Sequence, residues 1–294
     1  MTRPAPALPP VAALHPMPPA RRARATRNRV VRLALAAAMA SVALGTSAQE
    51  RPALLAALEK QGVTVVGPLP STGGLSAWAA YMGRQPLALY LTPDGKHVIA
   101  GTLLDAEGKD LNQAALEKAV RQPMSDAVLG RLAQSTWLAD GQSKAPRTVY
   151  VFTDPNCPYC NKLWADARPW VDQGRVQLRH VIVGTLTPTS PAKAAALLAA
   201  KNPAQALDAY ERGHAEANTK ALATGRPRPL GDAGLKPLTA IPPAIQAQLD
   251  ANERLMAELG LRATPAVVWK DESGTVQMLT GVPDGALPRV LGPR

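Results

Sequence analysis

Two cysteines, Cys157 and Cys160, are the residues of this 294-residue chain whose type and spacing could support redox chemistry. They are the only cysteines in the sequence, and they lie three positions apart in the segment DPNCPYC. Residues i and i+3 share one face of an α-helix, so two sulfurs at this spacing can come within reach of a disulfide bond. The spacing therefore predicts a dithiol that alternates with a disulfide.

The predicted secondary structure around the pair favours a reactive first cysteine. A β-branched and aromatic run over 148–153 predicts a strand, and Pro158 favours the first turn of a helix over 158–172. Cys157 then begins the helix, where backbone N–H groups and the helix dipole stabilise an anion and commonly lower a cysteine pKa to roughly 3.5–7.5. We expect Cys157 to attack and Cys160, one turn later, to resolve the mixed disulfide.

Two other roles for the pair stay open at this stage. A Cys-x-x-Cys segment can supply half of a zinc site, but zinc needs four ligands. No two of the four histidines have paired spacing: His15, His97, His180 and His214. A purely structural disulfide would close so short a loop that it would constrain the unfolded chain little. We predict neither a metal nor a cofactor.

The first 48 residues carry most of the excess positive charge and have the layout of an export signal. The net charge is +11, but residues 1–48 hold seven arginines and no acid, which leaves 26 basic and 22 acidic residues beyond them. A basic stretch at 21–32, an apolar run at 33–44 and small residues up to Ala48 predict a signal peptide preceded by an N-terminal extension. An uncleaved anchor is the alternative, and translation could begin at Met1 or Met17. Nucleic-acid binding is not predicted, because the rest of the chain is nearly balanced in charge.

The remaining chain predicts an α+β protein with two domains and a linker. Residues 49–110 predict one helix and a small, mostly antiparallel sheet. Residues 111–140 have apolar residues at helical spacing and predict a linker helix, kinked or broken near Gln122 because Pro123 interrupts it. Residues 141–294 predict the order β-α-β, a helical block over about 185–260, and then β-β-α.

Four segments of the chain resemble one known family. They are YLTPDGKH (90–97), YVFTDPNCPYC (150–160), TPAVV (264–268) and GVPD (281–284). Together they resemble the periplasmic disulfide isomerase family of DsbC and DsbG. The chain is more similar to DsbG, because proteins like DsbC usually have glycine at the position of Pro158.

The resemblance implies a fold and a site. It implies a thioredoxin-like catalytic domain with a helical insertion, joined by the linker helix to a small cystatin-like dimerisation domain. It also implies a cis peptide bond between Thr264 and Pro265, lying against Cys157. Client proteins would then contact Thr264, Pro265, Pro158 and Tyr159.

The resemblance also implies an activity and partners. It indicates a periplasmic homodimeric enzyme that reduces or reshuffles disulfides in misoxidised exported proteins, restores sulfenylated cysteines and holds clients in the manner of a chaperone. A membrane reductase resembling DsbD would keep Cys157 reduced. Two other functions are compatible with the sequence, namely a dithiol oxidase and a chaperone whose cysteines have little redox role. A monomeric protein whose cysteine pair is kept oxidised would favour the oxidase, whereas the additional N-terminal domain argues against an oxidase.

Overall fold

The computed structural model describes residues 51–293 of the chain. The predicted signal peptide and N-terminal extension lie outside this range. Among the described residues, no helix combines the length and the apolar composition needed to cross a membrane.

The N-terminal part forms a four-stranded antiparallel sheet that is covered on both faces. Its strands follow one another in the order β1 (Thr64–Thr72), β2 (Leu75–Met82), β3 (Gln85–Leu91) and β4 (Val98–Ala100). Alternate residues of β2 point to opposite faces, as the pleat of a strand requires. Trp78 packs with Leu55 of helix α1 (Ala53–Glu59), whereas Ala79 packs towards Val120 on the other side. The predicted antiparallel sheet is confirmed, and its last strand, β4, has only three residues.

Helix α2 (Gln113–Gln134) joins this sheet to the second one. The structure shows no break at Pro123, where the sequence predicted a kink or a break, and the helix continues through it. Proline removes only one backbone donor, and the flanking turns keep their packing. Val120 contacts the N-terminal sheet, whereas Val128 and Leu132 belong to the core of the second sheet.

The second sheet has five strands in the order β5-β7-β6-β8-β9. They are β5 (Trp137–Asp140), β6 (Arg147–Thr153), β7 (Val176–Ile182), β8 (Ala266–Lys270) and β9 (Val276–Thr280). Strands β6 and β7 are parallel, as a β-α-β crossover requires, and the other pairs are antiparallel. Strand β5 corrects the predicted linker boundary, because its four residues lie in the stretch predicted as helix and instead pair with β7. Four residues are too few to give a periodic signal.

The helices of the second part surround the central strands. Helix α3 (Pro158–Val171) connects β6 to β7, and the predicted helical block between β7 and β8 consists of three helices. These are α4 (Ser190–Leu198), α5 (Pro203–Ala223) and α6 (Pro243–Glu258). The chain ends in a 3-10 turn at Asp284–Ala286 and helix α7 (Leu287–Leu291).

Candidate active site

Cys157 is the residue at which strand β6 has ended and helix α3 begins. Its backbone is extended, and its N–H donates to the Asp154 carbonyl over 3.0 Å. Its sulfur accepts the backbone N–H of Cys160 over 3.2 Å, so Cys157 Sγ caps the helix in the way that a serine or aspartate oxygen usually does. The predicted position of Cys157 at the helix start is confirmed. Both cysteines are free thiols in this structure.

The surroundings make the two thiols unequal. The pKa of Cys157 is lowered to about 7, first by a hydrogen bond from the Cys160 thiol and then by the Thr264 side chain and the N–H groups of Cys160 and Tyr159, while burial acts against this. The pKa of Cys160 is raised well above its ordinary value, first by burial, then by the hydrogen bond to Cys157 and after that by the charge of Cys157. Cys157 is therefore the thiol that ionises near neutral pH, and Cys160 keeps its proton.

The peptide bond between Thr264 and Pro265 forms the third side of the site. This bond is cis, as the resemblance implied, and it lies directly before β8. The Thr264 carbonyl oxygen lies 3.4 Å from Cys157 Sγ and accepts a hydrogen bond from the Cys157 thiol. The structure thus brings together Cys157, Cys160, Thr264 and Pro265, although more than 100 residues separate the two segments.

A groove of about 320 Å³ runs beside this peptide bond. Tyr159, Thr264 and Pro265 are among its lining residues, together with apolar side chains from α3, α7 and the segment after β9: Leu163, Val282 and Leu287. Tyr159 is 51% exposed, whereas Cys157 is only 2% exposed. The Cys157 side chain is therefore nearly covered, whereas the Tyr159 ring at the groove is half exposed.

Pro158 is also one of the predicted client contacts, but the structure places it away from the groove. It does not line the groove but is buried at the first position of α3, and its carbonyl accepts a hydrogen bond from Asn218 Nδ2 over 2.7 Å. Proline is favoured at the first helical position, because its missing N–H would have no partner in the helix there and its φ already suits the helix.

Asp154 holds the loop that precedes Cys157. Its buried carboxylate accepts four hydrogen bonds at 2.8–2.9 Å, from the backbone N–H groups of Asn156, Thr185 and Leu186 and from the Ser190 hydroxyl. A carboxylate with this many donors caps the loop. The four bonds therefore give Asp154 the role of a cap for this loop.

A second buried network lies under the start of α3, and the sequence did not predict it. Asn161 Nδ2 donates to Glu211 Oε2 over 2.7 Å, and Asn161 Oδ1 accepts from Asn218 Nδ2 over 2.9 Å. Burial raises the pKa of Glu211 to about 8, and its Oε1 atom has no hydrogen-bond partner among the described residues. Asn161 lies on α3, whereas Glu211 and Asn218 lie on α5. All three are polar residues on helices, so the apolar periodicity of the sequence gave no sign that they are buried.

The described part of the chain contains no group of three or more histidine, cysteine, aspartate or glutamate residues arranged to hold a metal ion.

His180 is buried in β7, with its Nδ1 atom 2.8 Å from the Thr153 hydroxyl and its Nε2 atom 3.4 Å from Asp140 Oδ2. Its neighbours are thus structural partners within the sheet.

Comparison with known proteins agrees with this geometry. The model of the thioredoxin-like domain family (Thioredoxin_2) matches residues 138–287. Thiol:disulfide interchange protein DsbG of Pseudomonas aeruginosa is 43% identical over 272 residues, which cover 92% of this chain and 100% of that protein. The protein of the same name from Escherichia coli is 39% identical over 240 residues, covering 81% of this chain and 89% of the relative.

A third relative is more distant. The probable thiol:disulfide interchange protein DsbC of Bordetella avium is 25% identical over 191 residues, covering 65% of this chain and 58% of the relative. The preference for DsbG over DsbC, drawn from Pro158, agrees with this order of identities. The chain belongs to the DsbG family of thiol:disulfide interchange proteins, and its catalytic part is thioredoxin-like.

Proposed function

We propose that this protein reduces and reshuffles disulfides in exported client proteins, with Cys157 as the nucleophile and Cys160 as the resolving thiol. This proposal depends mainly on one observation, the difference in pKa between the two thiols. Cys157 has a pKa near neutrality at the start of α3, whereas the pKa of Cys160 is raised by burial. A thiolate attacks and leaves more readily than a thiol, so exchange begins and ends at Cys157.

The exchange proceeds in two steps. The Cys157 thiolate attacks one sulfur of a client disulfide, the client S–S bond breaks, and the other client sulfur leaves as a thiolate that takes a proton from solvent. A second client thiolate then displaces Cys157 and reshuffles the client disulfide. Alternatively, Cys160 loses its proton and attacks Cys157 Sγ, which leaves a reduced client and an internal disulfide.

A client sulfenic acid reacts at the same sulfur. The Cys157 thiolate attacks the sulfenyl sulfur, the S–O bond breaks, and the leaving hydroxide takes a proton to become water. Cys160 resolves the resulting mixed disulfide as before. Either reductive route consumes two electrons from the dithiol, so a membrane reductase of the DsbD class is the proposed electron donor.

The proposed setting is the periplasm and the proposed assembly is a homodimer. The predicted export signal supports the first. For the second, the N-terminal part exposes large apolar side chains on and near its edge strand β4: Ile99 is 53% exposed, Leu104 54% and Leu111 39%. Apolar side chains exposed at the edge of a sheet favour pairing with another chain, and two copies joined there would hold a client between their sites, which supports chaperone-like binding.

Trapping experiments in cells test the enzymatic function. Cys160→Ala removes the resolving thiol, so mixed disulfides between Cys157 and clients should accumulate and be visible on non-reducing gels. Cys157→Ala should give no conjugates and no activity. Absence of conjugates with Cys160→Ala, together with full cellular activity of Cys157→Ala, would instead establish a chaperone without redox function.

The direction of electron flow needs a separate measurement. Acid quenching followed by thiol alkylation reports the redox state of the wild-type pair in cells. We expect mainly the dithiol, and the disulfide when the membrane reductase is deleted. A pair found oxidised in both strains would indicate a dithiol oxidase.

A further inference from the structure

Lys193 is a buried lysine in the helical insertion, and the chemistry above does not use it. Its side chain is 1% exposed, although lysine is among the residues least often buried. Its Nζ atom donates to Asn156 Oδ1 and to the carbonyl oxygens of Leu230 and Gly231, each over 2.7 Å. Asp232 Oδ1, 2.9 Å away, supplies a negative charge. The three ammonium hydrogens therefore all have close acceptors.

The first of these acceptors belongs to the residue that directly precedes Cys157. The Asn156 side chain is fixed at both ends, because its Oδ1 accepts from Lys193 while its Nδ2, with two hydrogens to donate, lies within hydrogen-bond distance of three hydroxyl groups. Those hydroxyls belong to Thr187, Thr189 and Ser190, at 2.6, 2.9 and 3.2 Å. The side chain of Asn156 thus takes its position from the insertion rather than from α3.

The backbone of the same loop is bound to the insertion as well. The Leu230 N–H donates to the Asn156 carbonyl over 3.1 Å. The Tyr210 hydroxyl donates to the Pro155 carbonyl over 2.7 Å and lies 3.3 Å from Lys193 Nζ. Lys193 therefore binds the loop over 230–232 and the loop before Cys157 at the same time.

We propose that Lys193 is a positioning residue for Cys157, whose ammonium holds the insertion loop over 230–232 against Asn156 and thereby sets the start of helix α3. The inference rests on Cys157 as the reactive thiol of the proposed function. Cys157 Sγ accepts the N–H of Cys160 only while the first turn of α3 keeps its orientation. A loosened Asn156 loop weakens this hydrogen bond, and the thiolate loses stabilisation.

Lys193→Met tests this proposal, because methionine keeps most of the side-chain length and removes the charge and the donors. We expect the variant to raise the pKa of Cys157, followed through the ultraviolet absorbance of the thiolate, and to slow alkylation of Cys157 at neutral pH. A rise of one unit from about 7 lowers the thiolate fraction at neutral pH about fivefold. The disulfide should also become less oxidising in equilibrium with glutathione.

Two further variants provide a control and a second test of the proposal. Lys220→Met removes a lysine that is 74% exposed on α5 and should leave the pKa of Cys157 unchanged. Tyr210→Phe removes only the hydroxyl that binds Pro155 and should shift the pKa in the same direction by less, which provides a reading if Lys193→Met does not fold.

A folded Lys193→Met protein with an unchanged Cys157 titration would overturn the proposal, as would an unchanged titration of Tyr210→Phe when Lys193→Met cannot be purified. The thiol titration needs no client. Its result is therefore distinct from a failure of the proposed activity, which the trapping of conjugates reports.

Discussion

At the scale of single residues, the site depends on a difference between two cysteines, which the sequence predicts but attributes to a different main cause. The sequence attributes the reactivity of Cys157 to the start of a helix. In the structure, the hydrogen bond from the Cys160 thiol is the largest cause of its lowered pKa, ahead of the backbone N–H groups. The resolving thiol therefore also activates the attacking one.

This coupling predicts a change in the reactivity of the trapping variant. In wild-type protein, the alkylation rate of Cys157 should rise with pH through a midpoint at about 7 and then level off, because only the thiolate reacts. In Cys160→Ala, the midpoint should move to higher pH, since the thiol donor is gone. Stopped-flow alkylation across a pH series measures both curves. An unshifted midpoint would assign the activation to the helix N–H groups instead.

Glu211 predicts a pH dependence of stability. Its pKa of about 8 in the folded protein lies above the ordinary glutamate value of about 4.3, so between these values the folded state holds a proton that the unfolded chain has lost. The free energy of unfolding should therefore fall as pH rises through this window. Glu211→Gln, which can still accept from Asn161, should remove this slope and be the more stable protein near pH 8.

Urea unfolding near pH 5 and near pH 8 measures the effect, with reduced protein in both cases. Glu216→Gln is the matched control, because the Glu216 side chain is 85% exposed on the same helix and should leave the slope as it is. A wild-type slope retained in Glu211→Gln would place the titrating group elsewhere.

At the scale of elements, helix α2 belongs to both halves of the chain. The sequence predicts it as a linker, yet Leu132 is fully buried in the core of the catalytic sheet, and Ser125 Oγ accepts the Val276 N–H of β9 over 3.0 Å. Arg84, in the turn between β2 and β3, donates to the Leu259 carbonyl over 2.8 Å. The linker is thus part of the catalytic core at its C-terminal end.

Leu132→Ala should therefore destabilise the catalytic part, although it lies outside the predicted catalytic domain. Truncating a fully buried leucine costs about 2–5 kcal/mol. Met82→Ala, at a position that is 52% exposed at the end of β2, should cost far less. Chemical denaturation measures both costs, and equal midpoints for the two variants would contradict the packing of α2 on this core.

At the scale of the whole molecule, the N-terminal sheet is small and its edge is apolar. Strand β4 has only three residues and pairs on one side with β3, which leaves Ile99 exposed at the edge. Leu104 pairs with Asp110 in an isolated bridge just beyond it. A second copy of the chain would cover these side chains, in agreement with the proposed homodimer.

Charge placed on this edge should dissociate the dimer. Ile99→Asp combined with Leu104→Asp should shift the mass in light scattering from dimer towards monomer at micromolar concentration, because an interface does not tolerate unpaired buried carboxylates. Leu186→Asp, on the catalytic part and 48% exposed in the wild type, should leave the mass unchanged. A wild-type protein that is monomeric at this concentration would refute the assembly.

The sequence by itself determined the features that depend on local order. The run over 148–153, the cysteine spacing and Pro158 together specify a strand, a helix start and two sulfurs on one face, because strand and helix periods act over a few residues. The resemblance added the cis bond before Pro265. Even the helical block between β7 and β8 follows from local periodicity.

Only the tertiary structure decided what surrounds the two sulfurs. Lys193 contacts a residue 37 positions away, and Asn161 contacts Glu211 at a separation of 50. Local periodicity carries no information on such pairs, because burial and charge pairing arise only when the chain closes on itself. The same reason explains why the sequence did not predict the pairing of β5 with β7 or the packing of α2 on both cores. The sequence predicted the two cysteines and their order of attack, whereas the fold determined what lowers the pKa of Cys157 and what holds this residue in place.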